Sequence, residues 1–421
     1  MGSGRVHVIG AGLAGLSAAV WLAQSGYRVQ VHEASGSIGG RCRSFDDPGV
    51  GRRIDNGNHM VLSGNRATLA FLAAVGAENQ LVGPPRAEFH FLDVVNGERW
   101  SVKPSAGRVP WWILSARRRV PGSRAQDYLA LARLAFARPE MTVAHCLPRR
   151  TLLFDRFVEP LALAILNAPV ETAAAALLRP VLLETFARGE GACRPLMARD
   201  SLGSCFVDPA LQVVVDAGGS VQTLRRVRAL EVEGDRLVML RFSDGESVSL
   251  KANDGVVLAV PPDAAADLVP GVSTPIGSNV IVNGHFVLPG SGAEWGMIGI
   301  IGGFSQWIFV RRDMASVTIS GADAWADHAA ASIAERMWSE VCRALNLGKR
   351  PLPRYRIIKE RRATFAQTPA NVARRPGTQT HWRNLFLAGD WTNTGLPATI
   401  EGSLRSGRSA ADAVLARAAS A

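Results

Sequence analysis

A glycine-rich turn near the start of the chain constrains the fold more than any other sequence feature. Gly10, Gly12 and Gly15 lie at the GxGxxG spacing, between an apolar strand predicted at 6–9 and a helix predicted at 16–24. The first glycine allows a tight turn, the second lets the backbone approach a pyrophosphate, and the third lets helix and strand pack closely. The unpaired N–H groups at the start of the helix favour bound phosphate. The turn therefore predicts a dinucleotide-binding unit.

An acidic residue after the next predicted strand, at 28–32, supports this interpretation. Glu33 follows Gly15 by eighteen residues, close to the separation of about 20 at which a carboxylate binds ribose hydroxyls. A carboxylate at this position favours an adenosine with a free 2′-OH over one with a 2′-phosphate. We expect Leu13, Ala14 and Ala34 to line the same site. Both NAD and FAD fit these residues.

A second pair of glycines decides between the two cofactors. Gly39, Gly40 and Arg41 follow Glu33 closely, and an arginine there can neutralise pyrophosphate charge. The segment HEASGSIGGRCRS resembles the extended fingerprint of the FAD-dependent amine oxidase and phytoene desaturase superfamily. The resemblance implies that the cofactor is FAD, bound with Gly40 and Arg41 near its phosphates.

Two further segments resemble this superfamily. The turn IDNGNH, at 54–59, corresponds to one that passes close to the flavin ring, which implies contacts from Gly57, Asn58 and His59. His59 is open to two interpretations, a group that tunes the ring or donates a proton, or a structural histidine with a satisfied hydrogen bond. In the block GSVQTLRRVRALEVEGDRL, the resemblance implies that the backbone of Val227 contacts the adenine.

The carboxyl-terminal segment LFLAGDWTNTGLPATIEGSLRSGRSAADAV matches the superfamily's second FAD signature. Asp390, after Gly389 at the end of a predicted strand, is expected to accept hydrogen bonds from ribityl hydroxyls. A helix that opens near Thr399 and Ile400 would direct its dipole at the pyrimidine side of the flavin. Because GDWTNTG contains no cysteine for a thioether link, we predict non-covalent FAD.

The chain length and the positions of these motifs predict two domains. A length of 421 residues exceeds one compact core. We predict a Rossmann-type FAD-binding domain that is discontinuous, with segments 1–82, 205–265 and 379–421, and a substrate domain of mixed sheet and helices, with segments 83–204 and 266–378. The fold class is α/β, and α+β overall.

Composition excludes several other classes of protein. No apolar run reaches the 18 residues of a membrane span, and the five cysteines form no CxxC motif, so neither a metal site nor a disulfide framework is predicted. The net charge of +11 comes mainly from arginine, without a nucleic-acid-binding module. Trp111–Leu114 followed by Arg117–Arg119 fits either a peripheral contact with an anionic membrane or a buried domain contact. We expect a cytoplasmic protein at the inner face of the membrane.

The substrate class is predicted from departures from the amine oxidases. The strand predicted at 279–288 lacks their lysine, and Thr399 replaces their tyrosine. The segments DNGNHMVLSG and PLALAILNAPVETAAAALL resemble the hydroxysqualene dehydroxylases, also called squalene-associated FAD-dependent desaturases, although Asn58 stands where that family is expected to have glutamine. This resemblance implies reductive dehydroxylation of a lipophilic C30 isoprenoid, contact with other squalene-pathway enzymes, and His59 as the nominated catalytic proton donor. The alternatives are a carotenoid (phytoene-type) desaturase and a non-catalytic flavoprotein adaptor at a membrane surface.

Overall fold

The computed structural model describes residues 4–147, 151–288, 290 and 293–419. The strands of this part of the chain are, in order, β1 (Arg5–Ile9), β2 (Arg28–His32), β3 (Ser44–Asp47), β4 (Arg52–Asp55), β5 (Val61–Leu62), β6 (Leu81–Val82), β7 (Phe89–Asp93), β8 (Arg99–Val102), β9 (Pro195–Ala198), β10 (Ser220–Gln222), β11 (Val227–Glu233), β12 (Arg236–Phe242), β13 (Ser247–Ser249), β14 (Gly255–Leu258), β15 (Ser278–Val287), β16 (Ala293–Ile301), β17 (Trp307–Arg312), β18 (Met314–Ser320), β19 (Tyr355–Phe365) and β20 (Leu385–Leu387). The α-helices are α1 (Leu13–Gln24), α2 (Arg66–Ala74), α3 (Ala125–Leu129), α4 (Val143–Cys146), α5 (Glu159–Leu166), α6 (Ala175–Glu184), α7 (Glu190–Cys193), α8 (Asp208–Asp216), α9 (Pro262–Leu268), α10 (Ala330–Ala344), α11 (Pro369–Ala373) and α12 (Ile400–Ala419).

A five-stranded parallel sheet forms the nucleotide-binding half, in the order β10-β2-β1-β14-β20. Strands β14 and β20 are apolar and buried throughout, and β1 is buried after its first residue, as parallel sheets covered by helices require. Helices α1 and α12 cross so closely that a Cβ on Gly407 would lie 2.2 Å from the carbonyl oxygen of Ala14. The strands come from three regions far apart in the sequence, so the chain leaves this sheet and returns to it twice.

A seven-stranded sheet forms the second half, in the order β19-β15-β18-β17-β16-β7-β8. Its pairs are antiparallel except for β7 with β16. Val282, Phe286 and Val317 on one face pack against the buried side of α10. The opposite face, which we call the inner face, bears Asn283, Thr318, Trp307 and Phe309 among its residues, and it receives the turn at 54–60.

The secondary structure differs in several elements from what the sequence predicts. Strands β16 and β19 were not predicted, because β16 contains glycines and the edge strand β19 carries a run of charged residues that hides its alternation. The sequence predicts a helix at 327–345, whereas α10 spans Ala330–Ala344. Helix α8, which lies within the predicted segment 205–265, packs on α1. The exact domain boundaries stay predictions.

The structure describes the cysteines and the apolar character of the helices. All five cysteines are buried and none is paired with another, as expected for reduced thiols. Among the helices that the structure describes, none has the length and apolar character needed to cross a bilayer.

Candidate active site

The first glycine turn has the geometry of a phosphate cradle. Gly10 has a φ of 102°, and a Cβ on Gly15 would lie 1.9 Å from the carbonyl oxygen of Gly10, so neither position accepts a side chain. A Cβ on Gly12, by contrast, would meet no atom within 4 Å. Helix α1, which begins at Leu13 and continues through the buried Ala14, has neither a side-chain cap nor an acidic residue in its first turn. Its first N–H groups are therefore suited to a pyrophosphate.

The second glycine pair lies against the first. The Gly39 N–H donates to the Ala11 carbonyl over 2.9 Å, and Gly39 forms an isolated β-bridge with Gly12. A Cβ on Gly40, whose φ is 57°, would lie 3.2 Å from the Cα of Gly12. Two motifs separated by almost thirty residues of sequence thus build one cradle.

The predicted ribose and adenine residues also come together. The carboxylate of Glu33 accepts hydrogen bonds from the backbone N–H groups of Ala11 and Ser35, each at 2.8 Å. The Arg225 N–H donates to the Glu33 carbonyl over 2.7 Å, which brings Val227, two residues later, towards Glu33 and its neighbour Ala34. A carboxylate has about four acceptor positions, so Glu33 can still bind ribose hydroxyls.

Arg41 and Asp390 bind each other, although the sequence assigns them to separate parts of the cofactor. Arg41 Nη2 lies 2.7 Å from Asp390 Oδ2, and Arg41 also donates to the Ala363 carbonyl over 2.7 Å. Asp390 is buried, and Arg41 compensates its charge. The carboxylate keeps acceptor positions for hydroxyls, and about two fifths of the Arg41 side chain is exposed. Both cofactor contacts therefore stay predictions that this ion pair allows.

The sequence did not single out Arg375, which organises the loop after Asp390. Its buried guanidinium donates to the Leu396 and Asp390 carbonyls over 2.8 and 3.0 Å, and to the Thr392 carbonyl. Burial lowers the pKa of Arg375 to about 10, while Asp390 opposes the shift, so the group stays charged at neutral pH. One arginine among many has no distinguishing pattern, so only the fold could reveal this role.

Helix α12 begins beside the strand end that carries Gly389. The Gly389 N–H donates to Ser406 Oγ within α12 over 2.9 Å, and Thr399 Oγ1 accepts from the Gly402 N–H at 3.1 Å, as a helix cap does. Ile400, the first helical residue, is buried. The next residue, Glu401, has a structural role, because its carboxylate accepts the first N–H groups of α2.

The turn at 55–59 is fixed to the inner face of the seven-stranded sheet. Asp55 is buried and forms an ion pair with Arg311 at 2.8 Å. The Asn58 amide nitrogen lies 3.3 Å from Asn283 Oδ1 and 3.1 Å from Thr318 Oγ1, and the Thr318 hydroxyl donates to Asn283 Oδ1 over 2.9 Å. Asn283 and Thr318 face each other in register on β15 and β18. These two strands therefore set the position of the turn.

His59, the residue after Asn58, is neutral at physiological pH. Burial lowers its pKa to about 4, while the negative charge of Asp55 opposes the shift and the positive charge of Arg41 adds to it. The ring is close to Gly57, since a Cβ on that glycine would lie 3.5 Å from His59 Nε2. A neutral imidazole donates one hydrogen bond and accepts another. Proton donation by His59 therefore requires its minor, protonated form.

The candidate residues form a continuous strip. Val227 and Glu33 lie at one end, the glycine cradle and the Arg41–Asp390 pair follow, and the turn with His59 lies at the other end. The Asn56 N–H joins the last two parts by donating to the Arg43 carbonyl over 2.9 Å. An extended dinucleotide fits such a strip, with its adenosine at one end and its second ring at the other.

A wider groove lies apart from this strip. It offers about 960 Å³ of water-accessible space beside α10, with Phe304, Trp325, Arg336 and Glu340 among its lining residues. No predicted cofactor residue lines it, and the Arg336 guanidinium is already stacked 4.3 Å from the centre of the Phe304 ring. The groove is therefore separate from the residues predicted to bind the cofactor.

Comparisons with known proteins identify the family of this chain. The model of the family "flavin containing amine oxidoreductase" matches residues 13–415. The chain is 46% identical over 414 residues to a hydroxysqualene dehydroxylase of Rhodopseudomonas palustris, covering 98% of this chain and 99% of that protein. It is 22% identical to a 15-cis-phytoene desaturase of an Oncidium hybrid cultivar, covering 98% of this chain and 78% of that protein.

A solved structure of a putrescine oxidase variant has the same fold, with a TM-score of 0.68 at 16% identity, covering 98% of this chain and 99% of that chain. Together with the geometry of the strip, these matches support FAD as the cofactor. The chain belongs to the flavin containing amine oxidoreductase family and, within it, to the hydroxysqualene dehydroxylases.

Proposed function

We propose that this protein converts hydroxysqualene to squalene by FAD-dependent reductive dehydroxylation. The observation that carries the proposal is the 46% identity, over nearly the full length of both chains, to an enzyme named for this activity. Carotenoid desaturation is the weaker alternative, because a carotenoid desaturase that matches over 98% of this chain is only 22% identical.

The reaction breaks one C–O bond and forms one C–H bond. The hydroxyl takes up a proton and leaves as water, and the allylic carbon receives a hydride in its place. Bound in its reduced form, FAD supplies that hydride. The protein has to hold the allylic carbon, exclude bulk water and contact the hydroxyl. We assign the last task to His59, which the neighbouring Asn58 holds beside the inner face.

Amine oxidation fits these residues less well. Strand β15 presents Asn279, Ile281, Asn283 and His285 to the inner face, and none of these is the lysine typical of amine oxidases. Thr399, where those enzymes have tyrosine, caps α12 instead. The inner face is therefore better suited to an uncharged isoprenoid than to an amine.

An anaerobic experiment separates the three candidate functions. Hydroxysqualene is added to photoreduced enzyme, and the flavin spectrum and the lipid products are followed. Flavin reoxidation with formation of squalene supports the dehydroxylase. Activity only with a carotenoid precursor and oxidised enzyme would indicate a desaturase, and a flavin that responds to neither lipid would indicate a non-catalytic protein.

We also propose peripheral contact with an anionic membrane through the segment 101–150. This segment contains ten Lys and Arg against two Asp and Glu, so most of the net charge of +11 is concentrated there and is not spread along the chain. The same segment carries several exposed large apolar side chains, namely those of Val109, Trp111, Leu114, Leu129 and Phe136. Interfacial aromatic residues beside basic ones are typical of surfaces that bind anionic lipids.

The contacts of this segment revise the residues predicted for membrane binding. Trp111 is 65% exposed, but Trp112 is buried with its ring against Tyr128. Arg118 donates to the Lys103 and Pro104 carbonyls, and Arg119 donates to the Ile113 carbonyl. Of the three consecutive arginines, Arg117 is the exposed one.

Vesicle co-sedimentation tests this contact. Trp111→Ser with Leu114→Ser, and separately Arg117→Gln with Arg124→Gln, should reduce binding to anionic vesicles, and salt should weaken binding by the unmodified protein. Each arginine near an anionic surface contributes about 1 kcal/mol, so loss of two should lower the affinity about thirtyfold.

The matched controls are Ile276→Ser, which removes an exposed apolar side chain outside this segment, and Arg228→Gln. Equal sedimentation of all variants, or no binding by the unmodified protein, would reject the membrane contact. Localisation at the inner face of the membrane and contact with other squalene-pathway enzymes remain predictions, which co-purification with membranes and with those enzymes would test.

A further inference from the structure

A narrow apolar cleft opens on the inner face of the seven-stranded sheet. Its apolar walls include Met60, Leu196, Met197, Met297 and Phe309. Only about 10 Å³ of the cleft is accessible to the centre of a water molecule. A space of that size holds about one water, so the cleft is almost closed in the absence of a ligand.

The composition of the cleft suits a flexible hydrocarbon. Three of the eight methionines of the chain, Met60, Met197 and Met297, line it from three separate segments. Methionine has an unbranched side chain with several rotatable bonds, and it adapts to irregular apolar surfaces at low cost. Walls of this kind can move apart around a long chain without exposing polar groups.

Met60 links the cleft to the turn that carries His59. Met60 follows His59 directly in the sequence, and β5 begins at the next residue, Val61. Met297 and Phe309 are partners in register on β16 and β17 of the inner face. A chain in the cleft would therefore end beside the turn that carries His59.

Two polar residues connect the cleft to the basic segment 101–150. Glu88 and the exposed His90 also line the cleft. Glu88 forms an ion pair with Lys103 at 2.8 Å, and Lys103 exchanges two hydrogen bonds of 3.0 Å with Arg118, one through its N–H and one through its carbonyl. The cleft thus connects the segment proposed to contact the membrane with the residues proposed to contact the hydroxyl.

We propose that this methionine-lined cleft is the binding channel for the hydrocarbon chain of the C30 allylic alcohol, which enters at Glu88 and Lys103 and reaches His59 past Met60. This inference rests on the proposed function, because it assumes a long isoprenoid substrate. In the channel, Met197 and Met297 determine how much chain is bound, whereas FAD binding is independent of both.

The test narrows the cleft and then relieves the narrowing. The variants Met197→Phe and Met297→Phe are prepared as FAD-loaded protein, with Met239→Phe as the matched control in β12 of a separate three-stranded sheet. Each is assayed for FAD content, rate of photoreduction, KM for hydroxysqualene, and Kd for squalene measured by the change in flavin absorbance. A double variant, Met197→Phe with Met297→Ala, restores volume by shortening the opposite wall.

We expect the two cleft variants to keep their FAD and photoreduction rate while KM and Kd rise about tenfold or more. The double variant should recover most of the loss, and Met239→Phe should behave like the unmodified protein. KM and Kd unchanged in FAD-loaded cleft variants, with the unmodified protein active, would reject the channel. If one variant fails to retain FAD, the other variant and the double variant decide by the same criteria. If the unmodified protein does not turn over hydroxysqualene, the proposed function fails first, and that result is distinct from failure of the channel alone.

Discussion

The hydroxyl of Thr318 gives the sharpest test of how the turn at 55–59 is held. Thr318 is buried, and its hydroxyl donates to Asn283 and accepts from the Asn58 amide at 2.9 and 3.1 Å. Thr318→Val removes both hydrogen bonds but keeps a branched side chain of similar shape. The remaining bonds from the Asn58 amide, to Asn283 Oδ1 and the Val317 carbonyl, are long at 3.3 and 3.4 Å.

The expected magnitude follows from the two lost bonds. A buried hydrogen bond contributes about 1 kcal/mol net, so Thr318→Val should lower the free energy of unfolding by about 2 kcal/mol. If the same energy holds His59 in its reactive position, loss of that energy slows the chemical step by up to about thirtyfold. KM for hydroxysqualene should change little, because Thr318 does not line the apolar cleft.

The assay combines urea unfolding with single-turnover reoxidation of photoreduced enzyme. Thr318→Ser keeps the hydroxyl and should keep the rate. Thr364→Val is the matched control, because the buried Thr364 hydroxyl accepts a 3.0 Å hydrogen bond from Asn167 away from the turn. It should lose stability without losing rate. Equal rates for Thr318→Val, Thr364→Val and the unmodified protein would refute the argument that this network positions the turn.

Four further predictions concern the cofactor and the buried histidines. Glu33→Ala should weaken FAD binding through the ribose and leave the fold intact, measured by equilibrium dialysis and circular dichroism; unchanged affinity would remove Glu33 from the site. Acid precipitation should release all flavin from the protein, and flavin retained in the pellet would indicate a covalent link. If His59 donates the proton, the single-turnover rate should rise as pH falls from 8 to 6, because the protonated fraction of a group with a pKa of about 4 grows about tenfold per pH unit; His59→Gln should remove this slope, and an unchanged slope would assign the proton to another donor. Burial also lowers the pKa of His285 to about 4, below its unfolded value near 6.5, so stability should be lost as pH falls through that window, by up to about 3 kcal/mol at pH 4; His285→Gln should show a smaller loss in urea titrations at pH 7 and pH 4.5.

The nucleotide-binding half was predictable because its requirements are local. Tight turns and close approaches demand glycine at Gly10, Gly15 and Gly40, and the strand that precedes Glu33 is visible as a short run with alternating apolar residues. Each demand appears within a few residues of sequence. Resemblance to the superfamily then joined motifs that lie at opposite ends of the chain, which periodicity alone does not connect.

The residues that hold the turn at 55–59 could not be predicted, because their role depends on contacts between distant parts of the sequence. Asn283 and Thr318 lie 35 residues apart, and each is an ordinary polar residue within a strand. Their meaning depends on the register of β15 with β18 and on the packing of both against Asn58, neither of which leaves a local pattern. The same holds for the ion pair of Arg41 with Asp390, where two residues assigned separately to the cofactor also bind each other.

Charge compensation around the turn agrees with the proposed chemistry. Departure of the hydroxyl leaves positive charge on the allylic carbon, and a fixed cation about 5 Å away would raise the energy of that state by about 3 kcal/mol at an effective dielectric constant of 20. Two arginines beside the turn are paired, Arg311 with Asp55 at 2.8 Å and Arg41 with Asp390 at 2.7 Å. His59 is neutral, and β15 presents an amide at Asn283. The fold is shared with amine oxidases, but the inner face of this chain lacks an uncompensated positive charge among these groups, and this makes it compatible with a cationic transition state.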